Sequence, residues 1–149
     1  MLRKLLIACV FSCAAPAALA ATCSVNVEGN DAMKFNLAAI RVSRACASFT
    51  INLKHTGKLP RNVMGHNVVV AKVADVKGID ADGIKAGLAA EYVKAGDARA
   101  IARSKVVGGG GTTSVSFAPG KLAAGGDYVF FCSFPGHSSL MKGSIKQVP

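Results

Sequence analysis

Alternation of apolar and polar positions is clearest in Phe49-Thr50-Ile51-Asn52-Leu53-Lys54-His55, where Phe49, Ile51, Leu53 and His55 share one face. A period of two, carried by aromatic and β-branched residues, predicts a strand with one side buried. Weaker alternation predicts further strands over residues 24–28, 33–37, 40–42 and 113–117. Residues 67–71, 105–107, 128–132 and 143–148 read as strands too, the first of them continuously apolar. Turn residues punctuate these segments at 57–60, at Gly108-Gly109-Gly110-Gly111 and at Pro119-Gly120. The four glycines lack the Lys-Ser/Thr and helix start of a phosphate loop, so they read as a hairpin connection.

The pattern changes over residues 75–90. Val76, Ile79, Ile84 and Leu88 recur at helical spacing among Ala, Lys, Asp and Glu. Gly78, Gly83 and Gly87 weaken that pattern, each by up to about 1 kcal/mol in a helix interior. One short helix inserted between strands is therefore expected. About eight strands with turns between them predict an all-β fold, a Greek-key β-sandwich or barrel. No internal repeat or second domain is visible, so residues 21–149 read as one domain.

Composition adds a compartment. The chain has 149 residues and is 51% hydrophobic, and part of that lies at its start. Arg3 and Lys4 precede an apolar run, and Ala18-Leu19-Ala20 fits a small-x-small cleavage site. Residues 1–20 thus read as a secretory signal, cleaved after Ala20 and too short and broken to stay as a membrane span. Without Arg3 and Lys4 the 18 basic and 8 acidic residues become 16 and 8, a net charge of +8. The basic residues are scattered and carry no nucleic-acid motif, so neither nucleic acid nor membrane insertion is expected. The charge bears on solubility and on encounter with acidic partners.

Candidate chemistry lies near the C-terminus, in Phe130-Phe131-Cys132-Ser133-Phe134-Pro135-Gly136-His137-Ser138-Ser139-Leu140-Met141. A strand runs into Cys132, a turn at Pro135-Gly136 follows, and His137 and Met141 come at intervals that can converge on one point. Thiolate, imidazole and thioether suit copper better than magnesium or calcium. A blue copper site takes one Cys and two His in a plane with a weak axial Met. This loop supplies all but one His. His55 continues the inward face of its strand and reads as a buried core histidine. His66, after Gly65 and at the entry to a strand, is the candidate second imidazole. After signal removal three cysteines remain, so export allows one disulfide and leaves one thiol over. If Cys132 is a ligand, the pair is Cys23 and Cys46.

On Cys23 and Cys46, on Met64-Gly65-His66-Asn67, on the helical insertion and on the loop from Phe130 to Met141, residues 21–148 resemble the cupredoxin family of bacterial periplasmic blue copper proteins. The resemblance implies one copper ion, alternating between Cu(I) and Cu(II), held by His66, Cys132 and His137. Met141 and the Gly65 backbone carbonyl would be weak axial contacts, and Asn67 would brace the two ligand loops. It implies a periplasmic electron-transfer protein and not an enzyme. The electron would leave through His137, inside an apolar patch of Met33, Leu59, Val63, Met64, Phe134, Pro135, Gly136 and Leu140. Expected partners are redox proteins such as c-type cytochromes, copper reductases or peroxidases. One departure is Val68, where relatives often carry a core tryptophan; this chain has none. The competing reading is a periplasmic copper carrier that uses the same ligands and hands the metal on.

Overall fold

The computed structural model describes residues 22–149. The expected signal over residues 1–20 lies outside the described residues. Among the described residues, nine strands form two sheets. They are β1 (Ser24–Asn30), β2 (Lys34–Phe35), β3 (Ala39–Ser43), β4 (Phe49–His55), β5 (Val69–Lys72), β6 (Ala102–Arg103), β7 (Thr112–Phe117), β8 (Tyr128–Phe131) and β9 (Lys142–Val148). One sheet has the order β2-β1-β4-β7 and the other β3-β9-β8-β5-β6. β1 runs parallel to β4, and β3 parallel to β9, so strands distant in sequence lie side by side. The all-β Greek-key sandwich is what the sequence predicts.

The alternating residues of β4 point as expected. Phe49, Ile51, Leu53 and His55 are buried between the sheets, while Thr50, Asn52 and Lys54 face out. Phe49, Ile51 and Leu53 meet Val27, Ile40, Val42, Val68, Val70, Phe130 and Ile145 in one core. The continuous apolar run of β5 has a different cause. Val68 and Val70 face that core, whereas Val69 and Ala71 join Val129, Phe131 and Ile79 in a second core. Ile79 belongs to helix α2 (Val76–Ala86), which covers the outside of this sheet. A strand buried on both faces has no polar side to alternate with.

Several boundaries differ from the sequence prediction. The helix stops at Ala86 because Gly87 takes φ +75°, and residues 88–90 form a separate 3₁₀ turn. The strand expected at 33–37 shrinks to β2, since Met33 turns the chain with φ 53°. The strand expected at 105–107 is only a single bridge between Val107 and His66, and β6 lies earlier. A four-residue helix, α1 (Arg61–Met64), had no apolar periodicity to predict it. Cys23 and Cys46 form a disulfide, S–S 2.03 Å, tying the start of β1 to the chain before β4. Among the described residues no helix is long and apolar enough to cross a membrane.

Candidate metal centre

Cys132 takes the inward position that follows Phe130, at the point where β8 ends. Its N–H donates to the Met141 carbonyl (2.9 Å), so the loop returns to where it left. Within the loop, His137 N–H donates to the Phe134 carbonyl and Met141 N–H to the His137 carbonyl (2.9 and 2.8 Å). These bonds fold the segment into a compact turn that presents Cys132, His137 and Met141 together. The other histidine comes from the chain entering β5, the strand that pairs with β8. His66 and Val107 exchange two backbone hydrogen bonds. Gly65 before it approaches the Arg61 carbonyl and the Val106 side chain so closely that a Cβ would overlap both.

One donor atom each from His66, Cys132 and His137 lies within 4.8 Å of the others. Cys132 Sγ is 3.6 Å from His137 Nδ1 and 3.8 Å from the Gly65 carbonyl oxygen. His66, Cys132 and Met141 are fully buried, and His137 is 3% exposed. Met141 reaches the neighbourhood of His66, since both border the backbone of Gly29. The sequence-predicted ligands are thus brought together.

The donor set asks for a cation. His66 Nδ1 lies 2.9 Å from the Gly65 carbonyl oxygen, and Nε2 lies 2.9 Å from the Asn30 carbonyl oxygen. A neutral imidazole carries one N–H, so one nitrogen must face an oxygen lone pair without a proton. Burial disfavours a second proton, holding the His66 pKa below its ordinary value. With Nε2–H donating to Asn30, Nδ1 presents a lone pair beside the Gly65 oxygen, which itself lies 3.8 Å from the Cys132 sulfur. That is a place for a soft or borderline metal ion.

Charge at the site follows from burial. Burial pushes the Cys132 thiol up to about 12 and His137 down to about 4. Without metal the site is therefore a neutral thiol and two neutral imidazoles near pH 7.

Neighbouring side chains fix these groups. His55 is fully buried, as read from its strand, and stacks flat on His66 with ring centroids 4.1 Å apart and planes 7° apart. Its Nδ1 accepts the Gly57 N–H (3.0 Å), so its Nε2–H donates to the Met64 carbonyl (2.8 Å). Asn67 donates to Ser133 Oγ (2.8 Å) and accepts the Ser133 N–H (2.9 Å). It also donates to the Glu91 carbonyl (3.0 Å). The Asp80 carboxyl of α2 meets Ser138, and its Oδ1 is buried without a hydrogen-bond partner. Sequence reading missed Ser133, Glu91 and Asp80. None of the three has a spacing signal, because each is matched to its partner only by the fold.

The comparisons agree with this chemistry. Residues 21–148 match the family model described as copper binding proteins, plastocyanin/azurin family. Azurin of Bordetella pertussis is 61% identical over 130 residues, covering 87% of each chain. Azurin of Pseudomonas aeruginosa is 50% identical over 145 residues, covering 97% of this chain and 98% of its own. Among solved structures, the azurin Az-iso2 of Methylomonas sp. strain J superposes with a TM-score of 0.83 at 41% identity. It covers 87% of this chain and 100% of its own. With that match along the whole sandwich, the chain belongs to the plastocyanin/azurin family of copper-binding proteins.

Proposed function

We propose that this protein carries single electrons in the periplasm on one type 1 copper ion, with His66, Cys132 and His137 as its strong ligands. Met141 and the Gly65 carbonyl are the weak axial contacts, and residues 21–149 act as one domain after removal of the signal. The observation that carries this reading is the convergence of three donor atoms within 4.8 Å in a site where only His137 reaches the surface. The ion supplies a one-electron change between Cu(I) and Cu(II). The chain's part is to hold the donors still. The strands, the tight loop and the Asn67–Ser133 bonds fix the cage before any metal arrives, which keeps reorganisation small. The reading gives the protein no catalytic step.

His137 is the exit. Phe134 packs on it with centroids 4.7 Å apart, and Leu59, Val63 and Leu140 are 39, 54 and 62% exposed. Of the remaining patch residues Gly136 is exposed, Met33, Met64 and Pro135 are half-buried, and Phe134 is buried beneath them. A small apolar face suits a brief encounter with a redox protein such as a c-type cytochrome. Burial of the sulfur and thioether weighs against a metal carrier, which must release its ion. Stopped-flow oxidation of the Cu(I) protein by a c-type cytochrome, beside transfer of the metal to a chelator, separates the two. Electron exchange with the metal retained is the expected result. Rapid loss of metal with negligible electron exchange would favour the carrier.

A further inference from the structure

We propose that Glu91 is a positioning residue of the metal centre, its carboxylate setting how Gly65 and His66 are presented to the ion. The inference rests on the copper reading and adds a residue to it. Glu91 follows the 3₁₀ turn of residues 88–90 and contributes no donor atom to the site. Its backbone and that of Tyr92 are left-handed, φ 61° and 51°. Two consecutive non-glycine residues in that region are costly, and they persist only where their surroundings hold them.

What holds Glu91 also bears on the ligands. One carboxylate oxygen, Oε2, accepts both the Val106 N–H (2.6 Å) and the Arg61 guanidinium (2.7 Å). Arg61 Nε in turn donates to the Val106 carbonyl (2.9 Å), which closes a ring of three residues. The Arg61 carbonyl and the Val106 side chain wall in Gly65, and the next residue, Val107, exchanges two backbone hydrogen bonds with His66. The Glu91 carbonyl takes one Asn67 amide proton (3.0 Å) while Ser133 Oγ takes the other (2.8 Å), so both amide protons are used and the side chain is fixed. Tyr92 meets Phe134 edge-on with ring centroids 5.1 Å apart, and Phe134 packs on His137. Residues 91 and 92 thus reach both segments that carry the ligands. The Glu91 side chain is 20% exposed, so water competes little for its bonds.

The test compares Glu91→Gly, Glu91→Gln and Asp97→Ala with the parent. Glycine takes positive φ freely, so the first variant keeps the turn and removes the carboxylate. Glutamine keeps an oxygen to accept the Val106 N–H. Asp97 accepts its hydrogen bonds from Arg99, away from the ligand segments, and its loss controls for general destabilisation. Amide hydrogen exchange at His66 and Val107 is followed in the metal-free proteins. Cu(II) affinity against a competing chelator and the electron paramagnetic spectrum are then measured. Glu91→Gly is expected to speed exchange at both amides about tenfold, as a buried donor left unmade allows. It should also weaken Cu(II) binding about tenfold and change the copper hyperfine splitting. Glu91→Gln and Asp97→Ala should stay within about twofold of the parent in Cu(II) affinity and keep its spectrum. Exchange, affinity and spectrum unchanged in Glu91→Gly would overturn the inference and leave the copper reading standing. Equal losses in Glu91→Gly and Asp97→Ala would assign the effect to destabilisation and overturn it as well. Glu91→Gln as impaired as Glu91→Gly would overturn the part given to the accepting oxygen. If the parent itself binds no Cu(II), the inference falls together with the copper reading.

Discussion

Asn67 and Ser133 hold each other by two hydrogen bonds, the Asn67 amide donating to Ser133 Oγ and accepting the Ser133 N–H. Each stands one residue after a donor to the proposed site, His66 or Cys132. The pair therefore locks two segments that come from different strands and are 66 positions apart. Both residues are fully buried, so neither bond can be replaced by water without opening the sandwich.

Replacing Asn67 with Ala leaves the Ser133 N–H and hydroxyl, and the Glu91 carbonyl, without their buried partner. A loss of about 2–3 kcal/mol in unfolding free energy is expected, at the upper end for a buried donor left unmade. Urea unfolding of the metal-free protein measures it. A change below about 0.5 kcal/mol would mean that the two segments are held by packing alone.

Copper loading should release close to one proton per ion near pH 7. Cys132, pushed up to about 12, still carries its proton and must give it up, while His66 and His137 are already neutral. Calorimetry in buffers of different ionisation enthalpy counts the protons. A count near zero would mean a preformed thiolate, and a count of two or more a protonated imidazole at neutral pH.

The metal-free protein should lose stability as pH falls. His137 titrates near the ordinary histidine value of 6.5 when unfolded and about 4 when folded, so the unfolded chain binds more protons between those values. Stability from this group is full above 6.5, declines as pH drops and levels off below 4, a loss of about 3 kcal/mol. His66 shifts the same way and adds to the fall. Denaturant midpoints of the metal-free protein across this range give the slope, and a flat profile would contradict the neutral buried imidazoles.

Asp80 acts with the opposite sign. Burial raises its pKa above the ordinary 3.8, so its ionised form costs stability above that range, and the cost disappears below it. Asp80→Asn keeps the shape and removes the charge and should stabilise the protein by about 1 kcal/mol at neutral pH. The gain should vanish in acid, below the pKa of both states. Equal unfolding free energies of variant and parent at neutral pH would show that the unpartnered oxygen carries no penalty.

The strongest sequence signals were those with a short repeat or a fixed spacing. β4 was legible because one face meets the core and the other meets water. Cys132, His137 and Met141 were legible because a single tight loop carries them. His66 was legible only indirectly, as the histidine after Gly65 at a strand entry once His55 had been read as core, and the family resemblance agreed with that choice. What stayed hidden depends on contacts between distant segments. α1 has four residues and buries none of them, so it leaves no apolar stripe. The residues around 105 looked like a strand, yet only Val107 finds a partner, since β5 pairs with β6 instead. The stacking of His55 on His66 turned a correctly buried core histidine into a neighbour of the site, which one face of one strand cannot reveal.

The most direct test of the copper cage is the visible and electron paramagnetic spectrum of the mature protein after addition of Cu(II), with Cys132→Ser beside it. An intense blue thiolate-to-copper band with a narrow copper hyperfine pattern, both absent from the variant, is the expected result. A colourless protein, or a tetragonal copper signal unchanged by the substitution, would contradict a site built on His66, Cys132 and His137.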